Sequence, residues 1–265
     1  MTDNRPIGIF DSGVGGLSVF KELISILPYE SFLYYADSVH APYGNKNPKT
    51  IKKLSQAVVE FLVQKGCKLI VVACNTATAH AIQHLRLHYD IPFVGMEPAV
   101  KPAAMHTRTG HIGVLATEGT LRGNHFKNTV KTYANGVKVY TQIGDGLVEL
   151  VEKGKADSDE AEALLKTYLL PMLNNGIDKL VLGCTHYPFL ETRIRKITGS
   201  VVDIVNPAPA VARHTKSLLQ KMDMESSVSA PQYLFFNTVD SETLEIISSS
   251  FLQSPDIQLT EDSDL

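Results

Sequence analysis

Two of the three cysteines in this 265-residue chain occupy equivalent places. Cys74 ends the run Gly66-Cys67-Lys68-Leu69-Ile70-Val71-Val72-Ala73-Cys74 and is followed by Asn75-Thr76. Cys184 ends Gly176-Ile177-Asp178-Lys179-Leu180-Val181-Leu182-Gly183-Cys184 and is followed by Thr185-His186. Each thiol closes a short apolar strand that starts the same distance after a glycine. Upstream of each lies a second matched pair, Ile7-Gly8-Ile9-Phe10-Asp11-Ser12 and Ile112-Gly113-Val114-Leu115-Ala116-Thr117, so the chain repeats one unit in two halves of similar size. If the halves face each other, the thiols flank one cleft from opposite sides. A reaction needs that arrangement when a proton leaves one face of a carbon and arrives at the other. Cys67, between Gly66 and Lys68 ahead of its strand, reads instead as a small buried hydrophobe.

Further polar groups stand where they could serve the thiols. Asn75, Thr76, Thr185 and His186 directly follow the cysteines, where side chains and N–H groups can hold carboxylate oxygens. A helix terminus together with His186 is expected to lower a thiol's pKa from about 8.5 into the physiological range. Asp11-Ser12-Gly13-Val14-Gly15-Gly16 follows the first strand and opens a helix through Leu17, Val19, Phe20, Leu23 and Ile24. Its glycines let backbone N–H groups approach an anion, or simply make a tight connection. The spacing does not fit the dinucleotide fingerprint, and Asp11 would repel a phosphate; it suits a substrate ammonium or sets the charge of a nearby thiol. Asp37, His40 and Ala41-Pro42-Tyr43-Gly44-Asn45-Lys46 follow the second strand and read as a solvated turn. Neither Cys-x-x-Cys nor His-Glu-x-x-His occurs, so no metal site is expected. A Cys–His hydrolase would use one half of such a site and leave the duplicated cysteine without a role.

Short apolar runs alternate with amphipathic segments along the chain, the pattern of parallel sheets with helices on their faces, so the fold class is α/β. Strands are expected at Ile7 to Phe10, Ser31 to Ala36, Leu69 to Ala73, Phe93 to Gly95, Ile112 to Ala116, Lys138 to Gln142, Leu180 to Gly183 and Val201 to Val205, with a weaker one at Gln232 to Asn237. Pro48 to Lys65 sets Ile51, Leu54, Val58, Phe61 and Leu62 on one helical face and stops at Gly66. Ser158 to Asn174 places Ser158, Asp159 and Glu160 at the positive end of a second helix, before Gly176. Glu97 to Pro102 and Asn206-Pro207-Ala208-Pro209 look like crossings. The expected domains are therefore residues 1–97 with 208–265, and 98–207. The polar tail, Ser254 to Leu265, is expected to fray.

Net charge is −3 and the basic residues are scattered, so nothing marks a nucleic-acid partner. No apolar run reaches the roughly 18 to 20 residues of a membrane span, and the polar N-terminus enters the first strand directly, so a soluble, cytoplasmic protein is expected. An odd cysteine count argues against a disulfide framework.

With these residues in view, the chain resembles the cofactor-independent glutamate racemases of the aspartate/glutamate racemase superfamily. Four motifs carry the resemblance: Phe10-Asp11-Ser12-Gly13-Val14-Gly15-Gly16-Leu17, Ala41-Pro42-Tyr43-Gly44, Ala73-Cys74-Asn75-Thr76-Ala77 and Gly183-Cys184-Thr185-His186-Tyr187-Pro188. It implies two pseudo-symmetric α/β domains with an interdomain active site. It also implies racemisation of glutamate without pyridoxal phosphate or metal, supplying D-glutamate for peptidoglycan. By position, Cys74 takes the α-proton of the D-enantiomer and Cys184 that of the L-enantiomer, with the opposite thiol reprotonating. Asp11 assists Cys74, His186 assists Cys184, and both adjoin the substrate. Ser12, Tyr43, Gly44, Asn75, Thr76 and Thr185 match substrate contacts, as do Thr117 and Thr120 in the second half. Glu152 resembles the glutamate near the substrate ammonium, with Glu149 the competing position; Ile143-Gly144 stands where relatives often carry Cys-Pro. Aspartate racemases typically carry Glu after the second Cys-Thr, where this chain has His186, so the resemblance favours glutamate. A homodimer is a further expectation. Rival readings are a racemase for aspartate or another amino acid, and a binding protein that kept the fold and lost the chemistry; intact Asp11, Cys74, Cys184 and His186 argue against the second.

Overall fold

The computed structural model describes residues 2–239 and the backbone of 257–261. In chain order the first half runs β1 (Ile7–Asp11), α1 (Leu17–Ile26), β2 (Phe32–Ala36), α2 (Pro48–Gln64), β3 (Leu69–Val72), α3 (Asn75–His88) and β4 (Phe93–Gly95). The second half runs α4 (Val100–His106), β5 (His111–Ala116), α5 (Glu118–Arg122), α6 (Asn124–Tyr133), β6 (Lys138–Ile143), α7 (Leu147–Glu152), α8 (Asp159–Asn174), β7 (Lys179–Gly183), α9 (Glu191–Thr198) and β8 (Asp203–Val205). The chain then returns through α10 (Ala208–Lys221) to β9 (Tyr233–Asn237) and β10 (Ile257–Glu261). Two sheets result, ordered β10-β9-β2-β1-β3-β4 and β6-β5-β7-β8, and the pairs among the described residues are parallel. The central strands β1, β3 and β7 are buried along their whole length, as both-face-covered parallel strands must be.

The repeat read from the cysteines extends to strand order and register. The order β2-β1-β3-β4 recurs as β6-β5-β7-β8. Ile7 faces Leu69 in one sheet and Ile112 faces Lys179 in the other, each partner being the third residue after its glycine. Those glycines, Gly66 and Gly176, both hold the left-handed conformation, at φ +76° and +73°, and turn the chain from helix into strand. Gly8 and Gly113 are matched for a packing reason. A Cβ at Gly8 would lie 3.1 Å from Cys67 Sγ, and one at Gly113 would lie 2.8 Å from Ile177 Cδ1, its counterpart. Cys67 is thus a buried packing residue, its thiol pushed up to about 12 by burial. Matched residues also fasten each half's entry. Lys68, fully buried, pairs with Glu30 at 2.6 Å and donates to the carbonyls of Asp3 and Met224, whereas Asp178 accepts from Thr107 Oγ1 and the Arg108 N–H.

The helix ends follow local chemistry. Asn47 caps α2 by accepting from the Thr50 N–H at 2.9 Å, with Pro48 in the first turn. Ser158 caps α8 through the Ala161 N–H at 3.1 Å, with Asp159, Glu160 and Glu162 at its positive end. The chain leaves the first sheet after β4 and returns after β8, where the Asn206 side chain accepts from the Ala208 N–H at 3.0 Å and α10 packs along α1. One apolar cluster crosses between the halves, from Ile9 and Phe20 through Val14 and Val148 to Leu182 and Tyr187.

Two expectations need correction. Gly199–Val201 is a 3₁₀ turn, so β8 is shorter than Val201 to Val205. In the tail, Ile257–Glu261 pairs in parallel with β9 instead of fraying, because an open sheet edge offers backbone partners that require no apolar run. The rest of the tail lies outside the described residues.

Candidate active site

In each half the strand order reverses beside the first strand, between β1 and β3 and between β5 and β7, and crevices form at such points outside the carboxyl ends. Asp11 and Cys74 stand at the first crevice, Thr117 and Cys184 at the second. The two crevices face each other across one cavity. Ser12, Pro42, Tyr43, Gly44, Cys74, Asn75 and Thr76 form its wall from the first half, and Thr117, Val148, Cys184, Thr185 and His186 from the second. The walls leave about 10 Å³ free, close to what one water needs.

Cys74 occupies the N-cap of α3. Its sulfur accepts from the Ala77 N–H at 3.4 Å, and its thiol donates to Ser12 Oγ at 3.6 Å. The helix terminus does not lower this thiol, contrary to the expectation from sequence. Burial, reinforced by the Asp11 charge, pushes it well above the ordinary range, because complete desolvation of a thiolate outweighs one helix-terminal N–H. Asp11 is itself fully buried. Its carboxylate accepts from the Gly13 N–H and from Thr185 Oγ1, each at 3.2 Å. Burial pushes Asp11 up to about 6, with His186 pulling against the rise and Glu152 adding to it.

Cys184 meets the opposite charge. His186 Nδ1 lies 3.7 Å from its sulfur, and Nε2 lies 2.5 Å from Glu152 Oε1. Burial works against a charged ring, but the hydrogen bonds and charges of Cys184 and Glu152 overcome it and hold His186 well above the ordinary histidine range. The same Glu152 oxygen accepts from the Val14 N–H at 2.9 Å. This identifies the anion served by the glycine turn as a carboxylate from the other half of the chain. A Cβ at Gly13 would sit 1.9 Å from Glu152 Oε1, and one at Gly15 would sit 2.4 Å from His186 Nδ1. The turn is glycine-rich because a histidine–carboxylate pair is pressed against it.

The remaining site residues line the seam. Thr76 and Thr117 share a hydrogen bond at 2.9 Å, and Thr117 donates to Thr120 at the same distance. Thr120 supports Thr117 and does not itself form the cavity wall. Asn75 Oδ1 is buried without a protein partner among the described residues. Tyr43 lines the cavity while its hydroxyl donates to Asp37 at 2.5 Å. Of the two glutamates, Glu152 is engaged with His186, and Glu149 lines an adjoining recess of about 60 Å³ with Glu118 and Asp145. Sequence reasoning missed Val148, which gave no signal because an apolar residue on an amphipathic helix reads as core.

Comparison with known proteins points to one family. Residues 7–215 match the family model for Asp/Glu/Hydantoin racemase. A glutamate racemase of Herpetosiphon aurantiacus is 47% identical over 221 residues, 83% of this chain and 87% of that protein. Among solved structures, glutamate racemase RacE1 of Bacillus anthracis superposes with a TM-score of 0.89 at 34% identity, covering 99% of this chain and 98% of its own. Glutamate racemase of Francisella tularensis in complex with D-glutamate gives 0.86 at 32% identity, covering 98% of each chain.

Proposed function

Because the chain belongs to the Asp/Glu/Hydantoin racemase family, and its close relatives are glutamate racemases, we propose that it interconverts L- and D-glutamate by proton transfer between two thiols, Cys74 and Cys184. One observation carries this reading: both thiols line the same cavity, each from its own half of the repeat. The Francisella enzyme, similar along nearly its whole length, holds D-glutamate.

An α-proton beside a carboxylate is a very weak acid, and each unit of pKa mismatch adds about 1.4 kcal/mol to the barrier. The site meets this with hydroxyls and helix-terminal N–H groups around the α-carboxylate, from Ser12, Asn75, Thr76 and Thr185, and with a cavity that has space for about one water. Asn75 Oδ1 supplies an unused acceptor for the substrate ammonium. One thiol begins a turnover as thiolate and the other as thiol, and which is which selects the enantiomer consumed. Following the resemblance, Cys74 acts on the D-enantiomer and Cys184 on the L-enantiomer. Following the same resemblance, Asp11 assists Cys74, on whose sulfur its charge acts. The His186 imidazolium faces the Cys184 sulfur, oriented by Glu152 from behind.

A cavity of about 10 Å³ admits no glutamate, so the halves part for entry. The bonds to be broken cross the seam and include Thr76 to Thr117, Thr185 to Asp11, Ser18 to Thr185 and Val14 to Glu152. The same reading divides the chain at residues 97/98 and 207/208, where it passes from one sheet's helices to the other's, and assigns the D-glutamate formed to peptidoglycan. Among the described residues, no helix is long and apolar enough to cross a membrane.

The test incubates purified protein, without added cofactor, with D- and separately L-glutamate in D₂O. Loss of optical rotation with α-deuterium incorporation from both sides is expected. Deuterium exchange without loss of rotation would reduce the site to one working base, and neither change, with aspartate also inert, would leave a binding protein or a different substrate.

A further inference from the structure

The turn after β2 is not the solvated connection that its sequence indicates. Asp37 is buried, and its two oxygens are taken by different donors. Tyr43 OH donates to Oδ2 at 2.5 Å, and His40 Nδ1 lies 2.8 Å from Oδ1. The Asp37 N–H donates to the Asp11 carbonyl at 3.1 Å, so this residue also extends the β1–β2 ladder at the carboxyl ends of the strands, where the Cys74 side of the site lies. Tyr43 is buried with its ring edge against Phe10, at 6.1 Å between centroids. Burial and the Asp37 charge push its phenol far above the ordinary range, so it remains a donor.

Tyr43 belongs to Pro42-Tyr43-Gly44, the stretch that covers the cavity from the first half. Gly44 seats this stretch on the second half: a Cβ there would lie 2.8 Å from Thr117 Cβ, and one at Gly119 would lie 3.0 Å from the Gly44 carbonyl oxygen. The cover therefore meets the other half by backbone contact and is tethered to its own half by one buried side-chain bond.

We propose that Asp37, backed by His40, is a positioning residue for the reaction: by holding the Tyr43 hydroxyl it sets the Pro42–Gly44 cover over the substrate and in register with Thr117. This rests on the racemase reading above. Asp37 acts on substrate binding and leaves the proton transfers at the thiols alone, so its loss falls on KM and spares kcat.

The experiment measures racemisation of both enantiomers by circular dichroism for the wild-type chain, Asp37→Asn, Tyr43→Phe, the double variant and His40→Gln. Each of the two buried single variants should raise KM about tenfold with kcat within about threefold, the loss expected for one hydrogen bond to a charged group. The double variant should match either single one, because both remove the same charge-assisted bond. His40→Gln, at an exposed ring, should raise KM about twofold. Unchanged KM in Asp37→Asn or Tyr43→Phe, multiplied losses in the double variant, or a fall in kcat alone would overturn the proposal. If Asp37→Asn does not fold, Tyr43→Phe, which removes a single oxygen, decides by the same KM criterion. An inert wild-type chain would overturn the racemase reading and this proposal together, whereas an active wild type with unaltered variants would overturn this one alone.

Discussion

The Cys74 and Cys184 halves of the site place their thiols by the same strand register and then surround them with opposite charge. On one side a thiol caps a helix beside a buried carboxylate, and burial plus Asp11 drive it upward. On the other, a thiol faces an imidazolium held by Glu152. Symmetric scaffolding with asymmetric charge suits a reaction whose two bases must hold different protonation states when a turnover begins. Glu152 and Asp11 also exchange partners across the seam: Glu152 accepts from Val14 of the first half, and Asp11 from Thr185 of the second. Each thiol's electrostatic partner is thus tied to the other half, so closure of the cavity and the charge state of the bases are coupled.

The largest effect should come from the thiols themselves. Cys74→Ala and Cys184→Ala should each lower racemisation by about 10³-fold or more while leaving the circular dichroism spectrum unchanged. An active alanine variant would break the equivalence of the two halves.

Next come their partners. Asp11→Asn and His186→Asn should each cost roughly 10²–10³-fold in kcat/KM. The enantiomers have equal free energy, so that loss must be equal in both directions for any variant, and asymmetry has to be read from isotope effects. With α-deuterated substrates, Asp11→Asn should enlarge the effect for D-glutamate and shrink it for L-glutamate, and His186→Asn should do the reverse. The same pattern in both variants would refute the assignment of one partner to each thiol.

Glu152→Gln should cost about tenfold, since the imidazole keeps its place near Cys184 but loses the charge behind it. The carboxylate favours the charged ring, so its removal lowers the pKa of His186, and the basic limb of the kcat/KM profile should move to lower pH. A limb that stays in place would separate Glu152 from His186.

The smallest effects are in stability, and both variants should gain relative to wild type as pH rises, over different pH ranges. Asp11 is raised to about 6 by burial, so its contribution is complete below its unfolded value near 3.9 and is lost as pH rises through about 6. Above that the wild type carries a cost of about 3 kcal/mol, part of which Asn avoids. Asp11→Asn should therefore be about 1–2 kcal/mol more stable than wild type at pH 8 and no more stable at pH 4, by urea titration. His186 is also raised, so its contribution is complete below its ordinary value near 6.5 and is lost only as pH rises through the higher folded one. His186→Asn should thus lose most stability at pH 6 and progressively less in alkali. A variant whose stability relative to wild type fell with rising pH would contradict the raised value of the group it replaces.

The pairing of Cys74 with Cys184, the strands that carry them and the glycines that start those strands were legible in the chain, because register in a parallel sheet follows from local spacing that repeats with the sequence. The caps at Asn47 and Ser158 were legible for the same local reason. The partner of the Gly13–Gly16 turn was not, since Val14 and Glu152 lie 138 positions apart and no spacing announces that a carboxylate will press there. Nor was the pairing of Ile257–Glu261, which adds a parallel strand beside β9.

The sequence by itself determined an α/β repeat, two thiols in equivalent positions and a set of hydroxyls and carboxylates beside them, because these depend on residue type and short-range periodicity. Only the tertiary structure decided what each thiol faces. It buried Cys74 beside Asp11 until desolvation outweighed the helix terminus, linked His186 to Glu152 and both to the opposite half, and turned Asp37 inward to Tyr43. Burial and charge at a site are sums over neighbours brought together by folding, and no local stretch of chain contains them.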